Sequence, residues 1–371
     1  MKLFLPVLAA MLALAATATQ AAAPPDPHAI LAEVGKVVSD KGIDEARAVE
    51  IGGIRQWITV RGRDRRNPIL LVIHGGPAAP ELPNRYLFEA PWLDYFTVVE
   101  WDQRGAGKTY ALNDPAKVAP TLNKARIIDD AEELVAWLRA TYGRKKIFVM
   151  GHSWGTIVGL SLAQRRPDWL YAYIGVGQII DMREGEKDGY AWVLGQARAA
   201  GDAAAVKELT AIAPYPEPDG ALPLDKIDME RKWSVHFGGL THGRRTYDIW
   251  EDAERLSPDY SEADYKAIDA GSAFSFPKLL PELAATDFRG LTRLRCPLVI
   301  FAGRYDYTTP AEPVKRWYDR LSAPSKRFVW FENSAHMMYE EEPGRVLVHL
   351  VRDALPFAVA AGDVSPSAAE R

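Results

Sequence analysis

Cysteine is almost missing: in 371 residues there is one, Cys296. A single thiol closes no internal disulfide, so a fold of this size must be held by its hydrophobic core. Cys296 precedes a proline and the apolar run "PLVIFAG", which marks it as a buried packing residue rather than a nucleophile. Also missing is a surplus of one charge. Lys and Arg total 45 against 49 Asp and Glu, a formal net charge of −4. Nothing in that balance points to nucleic acid or an anionic membrane as partner. The densest basic run, "RGRDRR" from Arg61 to Arg66, reads as a solvated turn between strands. There is no H-E-x-x-H and no cysteine cluster, so no metal site is indicated. Internal repeats are absent too.

One apolar run does stand at the N-terminus. "MKLFLPVLAAMLALAATATQAAAPPDP" carries Lys2, an apolar stretch from Leu3 to about Ala16, small residues ending near Ala21 to Ala23, and then prolines. These are the regions of a secretory signal, and the run is too short for a membrane span. No cysteine follows it closely, so lipid attachment at a cleaved cysteine is excluded. Residues 1–23 are expected to be a signal peptide. The mature chain is then exported, periplasmic or secreted, with no stable membrane insertion after cleavage.

Further on, short apolar runs alternate with helical patterns. Val49 to Val60 alternates in strand fashion, and "NPILLVIHGGP" is a buried strand that ends in a sharp glycine loop. "YFTVVEWDQRGAGKT" repeats the design. "ARIIDDAEELVAWLRATYG" places Ile127, Ile128, Ala131, Leu134, Val135 and Leu138 on one helical face, with Gly143 past its end. "KIFVMG", "YAYIGVGQ", "PLVIFAG" and "RFVWFE" read as further buried strands. This alternation predicts an α/β fold, a mostly parallel twisted sheet with helices on both faces. Between about Ile180 and Leu294 no buried strand occurs, only helical patterns and loops. The expected division is therefore 24–179 for the first part of the core and 180–294 for a helical cap. Residues 295–358 form the second part of the core, and 359–371 a disordered tail.

"GHSWG" places Ser153 between two glycines, after a strand and before a helix. That context predicts a tight, strained turn whose purpose is to present the serine hydroxyl at a helix N-terminus. A serine needs a base to become a nucleophile. Of the seven histidines, His336 follows the last strand, on the sheet edge where Ser153 should lie. His28 lies near the cleavage site, and His74 is expected to shape the glycine loop. His152 should point elsewhere from the turn, and His349 falls in a helix pattern. His236 and His242 lie in the insertion. The base wants a carboxylate at a strand end to hold its tautomer. Asp306 in "IFAGRYDYTTP" is favoured, and Glu332, near His336, is its rival; Asp319 reads as a surface helix residue. Backbone donors for an oxyanion come from the N–H of Trp154 and from the loop "HGGPAAP", where Gly75 and Gly76 let backbone approach a substrate.

Taken together, "HGGP", "WDQRGAGKT", "GHSWG", "GRYD" and the late His336 resemble α/β-hydrolases of the proline iminopeptidase type, over about Ile69 to Pro343. The resemblance implies Ser153 as nucleophile, Asp306 as acid and His336 as base, with the N–H groups of Gly76 and Trp154 as oxyanion hole. It implies no metal and no organic cofactor. Such peptidases hold the substrate's ammonium with cap glutamates, and "TYDIWEDAERL" resembles the family's Trp–Glu cap motif. This points to Glu251, beside Trp250 and one turn from Glu254, as a substrate-binding carboxylate in a partly dry pocket. Two departures are visible. Ala78 stands where the family has the last glycine of HGGPG, and a second amine-binding glutamate has no counterpart in "DYKAIDAGSAFSF". The expectation is an exported serine aminopeptidase releasing N-terminal proline or another small apolar residue from short peptides. The alternative is a carboxylesterase, lactonase or amidase acting on a small molecule. An epoxide hydrolase or dehalogenase would need aspartate at position 153.

Overall fold

The structure, a computed structural model, describes residues 25–369; the expected signal peptide lies outside the described residues. Eight strands form one sheet: β1 (Ile43–Ile51), β2 (Ile54–Gly62), β3 (Ile69–Ile73), β4 (Thr97–Asp102), β5 (Ile147–His152), β6 (Leu170–Val176), β7 (Leu298–Gly303) and β8 (Lys326–Phe331). Their order is β1-β2-β4-β3-β5-β6-β7-β8. β1 and β2 pair antiparallel, as do β2 and β4, and every later pair is parallel. The patterning explains the difference. β3 to β7 are apolar runs buried along their whole length, as strands covered on both faces must be. β1, "IDEARAVEI", mixes exposed and buried positions and occupies an edge.

Successive side chains of each central strand serve opposite layers. Leu71, Ile73, Val149 and Ile300 pack with Ile127, Leu134, Ile157 and Trp317 on one face. Leu70, Val72, Phe148 and Phe301 pack with Leu350, Ala354 and Ala358 on the other. Cys296 is buried in the first layer, and burial pushes its thiol up to about 12, leaving it inert.

The helices before the cap are α1 (Pro27–Gly35), α2 (Gly107–Ala111), α3 (Pro115–Val118), α4 (Lys124–Thr141) and α5 (Trp154–Arg165). Cap helices follow: α6 (Met182–Ala199), α7 (Ala203–Ala211), α8 (Leu224–His236), α9 (Asp248–Glu254) and α10 (Glu262–Ala284). Asp181 caps α6, and a Ser261–Asp264 capping box starts α10. The two ends of this insertion are pinned together: Met182 N–H donates to Thr286 O (3.1 Å) and Phe288 N–H to Ile180 O (2.6 Å). α10 is seated on the core where Ser275 Oγ donates to Gly105 O at 2.9 Å. α11 (Ala311–Arg320), α12 (Met338–Glu341), α13 (Pro343–His349), α14 (Pro356–Ala360) and α15 (Pro366–Ala369) complete the fold. Among the described residues no helix is long and apolar enough to cross a membrane.

Two expectations are corrected here. The tail to residue 369 is ordered, not frayed. Tyr171 and Arg144 both donate to Asp363, and Ser365 and Ala368 are buried. Its small residues pack because that carboxylate anchors them. In "RGRDRR", Arg61 belongs to β2 and is buried, bonded to Asp44.

Candidate active site

β5 ends at His152 and α5 begins at Trp154, so the whole reversal falls on Ser153, at φ 51° and ψ −120°. A non-glycine residue there is strained, and the packing around it shows why the chain cannot relax. A methyl group on Gly155 would overlap the carbonyl oxygen of Ile73, and one on Gly151 would overlap that of Gly155. Both glycines therefore let the start of α5 press against β3 and β5. Ser153 N–H donates to Val176 O at 3.0 Å, and its Oγ has no hydrogen-bond partner among the described residues. The N–H of Trp154 is likewise free, at the positive end of α5.

Across the loop after β3, the N–H of Gly75 donates to Glu81 (3.2 Å), whereas that of Gly76 has no acceptor among the described residues. Gly76 has φ 108°, and a side chain there would sit 2.6 Å from Ala79 N. A Cβ on Gly75 would lie 3.2 Å from Ser153 Cβ, so this loop borders the serine. Ala78, where a glycine was expected, takes φ 63° with its methyl group buried. The loop is fixed from behind. His74 Nε2 accepts Gln103 N–H (3.1 Å), Gln103 Nε2 donates to His74 O (2.8 Å), and Trp154 Nε1 donates to Gln103 Oε1 (3.0 Å). "DQRG" is thus scaffolding that joins the glycine loop to the elbow. Arg104 is paired with Asp130 at 2.7 Å, both fully buried.

His336 sits in the loop between β8 and α12. Its Nδ1 is 2.9 Å from Asp306 Oδ2, while Asp306 Oδ1 accepts the N–H groups of Thr308 (3.0 Å) and Thr309 (2.7 Å). The Thr309 hydroxyl bonds to Asp306 Oδ2 (2.9 Å) and lies 3.1 Å from His336 Nδ1. A Cβ on Gly177, next to the Val176 carbonyl that holds Ser153, would lie 2.9 Å from His336 Cε1. Serine, imidazole and carboxylate therefore all stand at the C-terminal ends of the parallel strands, after β5, β8 and β7. Burial pulls the His336 pKa below its ordinary value, with Asp306 opposing. Such a group is neutral near pH 7 and can accept a proton.

The other candidates separate. Glu332 is turned to Arg304 (2.8 Å) and Asp319 to Lys315 (2.6 Å), both away from His336. His349 bonds to Asp353 and His242 stacks on Tyr305. Glu251 is exposed on α9, not in a dry pocket, and Trp250 beside it is half-buried. The less exposed carboxylate of that helix is the half-buried Glu254, pushed up to about 7 by burial and by the charges of Glu251 and Asp269. A second cap carboxylate, absent from the motif reading, is Glu230 on α8. It is fully buried, and its Oε1 has no partner among the described residues. It lies against Gly189, which in turn abuts the Tyr307 carbonyl beside Asp306. It stands among other charges in "DMERKW", and no sequence signal marks it. Arg231 bridges Glu230 and Glu186.

The profile of the alpha/beta hydrolase fold family matches residues 68–343. A probable aminopeptidase of Bacillus subtilis, YbaC, is 30% identical over 308 residues, which cover 82% of this chain and 94% of that protein. A proline iminopeptidase of Heyndrickxia coagulans is 25% identical over 283 residues, 75% of this chain and 87% of that one. The solved proline iminopeptidase of Mycobacterium smegmatis shares the fold, with a TM-score of 0.59 at 18% identity over 85% of this chain and 100% of that chain. The elbow, the late histidine and these matches agree: the chain belongs to the α/β-hydrolase family and is a hydrolase that resembles the proline iminopeptidases.

Proposed function

We propose that this hydrolase is an exported serine aminopeptidase that releases N-terminal proline or another small apolar residue from short peptides. The observation that carries the reading is the free Ser153 hydroxyl on a strained elbow, at the strand ends that also hold the His336–Asp306 pair. In this reading Ser153 Oγ attacks the peptide carbonyl while His336 Nε2 takes its proton. Asp306 keeps the proton of the resting imidazole on Nδ1 and stabilises the cation that forms. The N–H groups of Gly76 and Trp154 receive the oxyanion. His336 then protonates the departing amine, and water, deprotonated by the same base, cleaves the acyl-enzyme.

Restriction to a free N-terminus needs an anion in the cap. Glu230 fits that role better than Glu251, because its unpartnered oxygen is buried and would gain most from an ammonium. Gly75 and Trp250 complete the substrate-binding residues of this reading. Export is supported by Lys2, the apolar run from Leu3 and the alanines that follow, and N-terminal sequencing of the mature protein tests it.

The functional test compares free and N-blocked alanine and proline naphthylamides on the wild type and on Glu230→Gln, Glu251→Ala and Glu254→Gln. Loss confined to free-amine substrates in one of these variants supports the aminopeptidase. Equal wild-type rates on blocked and free amines reject it and favour the second reading, an esterase, lactonase or amidase. The exposure of Glu251 is the observation on that side.

A further inference from the structure

Behind the elbow lies a buried charged cluster that the proposed relay does not use. Glu81 follows the HGGP loop. Its Oε1 accepts the Gly75 N–H at 3.2 Å and pairs with His152 Nδ1, and its Oε2 accepts the Tyr339 hydroxyl at 2.7 Å. The other ring nitrogen of His152, Nε2, lies 3.2 Å from the carbonyl oxygen of His336. Both nitrogens of His152 thus face acceptors, a carboxylate and a carbonyl, and only a doubly protonated ring satisfies both. The His152 ring is 4.7 Å from that of His336, centroid to centroid, and 4.9 Å from that of Tyr339.

We propose that Glu81 and His152 are positioning residues of the hydrolytic site, a buried carboxylate–imidazolium pair that holds the oxyanion loop, the nucleophile elbow and the His336 loop in one register. The inference rests on the roles given above to Ser153, Gly76 and His336. Each bond of the pair lands beside one of those groups. Gly75 precedes the oxyanion donor, His152 precedes the serine, and the His336 carbonyl belongs to the base itself. These three loops leave the ends of β3, β5 and β8; β3 and β5 are paired, but β6 and β7 stand between β5 and β8, so a direct tie to the His336 loop fixes what strand pairing leaves free. Displacement of about 1 Å at such a site costs on the order of 100-fold in rate.

The electrostatics agree with that geometry. Burial alone would lower the His152 pKa, but the charge and hydrogen bond of Glu81 outweigh it and raise it. Burial would likewise raise the carboxyl of Glu81, and the charge of His152 pulls it down instead. The ionisable groups facing His152 are Glu81, Asp306, His336, His74 from the end of β3, and Tyr339 and Glu340 from α12. Those facing His336 are Asp306, His152 and Arg231. The imidazolium therefore has a second effect: it disfavours a positive charge on His336 and keeps that base neutral to lower pH.

The test compares His152→Gln and Glu81→Gln with wild type on a short-chain p-nitrophenyl ester, after near-UV circular dichroism has verified folding. In both variants kcat should fall about tenfold or more with KM within about twofold. In His152→Gln the acid limb of kcat/KM should also move up by about one pH unit, because His336 loses a cationic neighbour. An unchanged limb and unchanged kcat, with only a lower melting temperature, would overturn the inference. Should His152→Gln not fold, the imidazole ¹⁵N signals of His152 in the wild type at pH 7 decide. Two protonated nitrogens are expected, and a neutral ring overturns the pair. Wild-type turnover that survives Ser153→Ala would instead refute the underlying site. Turnover abolished in Ser153→Ala, with an unmoved limb in His152→Gln, refutes this inference alone.

Discussion

Asp306→Asn keeps the shape of the site and reverses one proton. Native Oδ1 accepts two backbone N–H groups, from Thr308 at 3.0 Å and Thr309 at 2.7 Å. Those donors demand an acceptor, so the amide must keep its oxygen there and turn its NH₂ toward His336 Nδ1, at 2.9 Å in the native pair. The imidazole then accepts at Nδ1 and carries its proton on Nε2, the atom that must receive the Ser153 proton. The opposite tautomer would set two donors against each other. With the base in the wrong tautomer and every distance kept, kcat/KM should drop by about 10³–10⁴, or about 4–5.5 kcal/mol of transition-state stabilisation. The melting temperature should change by only a few degrees, since volume is unchanged. The assay is kcat/KM for a p-nitrophenyl ester at pH 7, with a melting curve on the same sample. Activity within tenfold of wild type in a folded protein would refute the assignment of Asp306.

Further outcomes follow from the same contacts. Gly155→Ala should destabilise the fold by about 3 kcal/mol or more, because the added methyl meets the Ile73 carbonyl, which β-sheet pairing holds in place; urea denaturation measures it, and a loss below about 1 kcal/mol would contradict the packing described. Asp130→Ala leaves the buried Arg104 guanidinium unpaired and should cost about 3–5 kcal/mol, read by the same titration. Ala78→Gly removes a methyl group from a left-handed residue and should stabilise by about 0.5–1 kcal/mol; a lower melting temperature would show that the methyl packs usefully. Activity should fall on the acid side as His336 protonates, with a midpoint below the ordinary imidazole value of about 6.5, because burial lowers this pKa. A midpoint above about 7 would contradict that environment.

The central strands were readable because both their faces are buried. "ILLVI" and "IFVMGH" need no partner to announce themselves. The elbow was readable because its constraint is local: strand, glycine, serine, glycine and helix adjoin in sequence. The pairing of Asp306 with His336 was legible as strand-end chemistry, and its rival Glu332 was separable only once Arg304 was seen beside it. What could not be read depends on contacts between distant segments. Glu81 and His152 are 71 positions apart, and a lone glutamate in "APELPN" says nothing of an imidazole behind the elbow. Glu230 lies among charges, "DMERKW", and its burial is set by the packing of α8 against α6. The docking of the tail depends on one carboxylate, Asp363, meeting Tyr171 and Arg144. Ala78 was visible as a departure, but its left-handed backbone was not.

The account stands on the Ser153 hydroxyl as the attacking group. Peptide mapping by mass spectrometry after treatment with a fluorophosphonate tests this most directly. A single adduct on Ser153 is predicted, abolished in Ser153→Ala and formed far more slowly in His336→Ala. No adduct, or one on another residue that persists in Ser153→Ala, would contradict it.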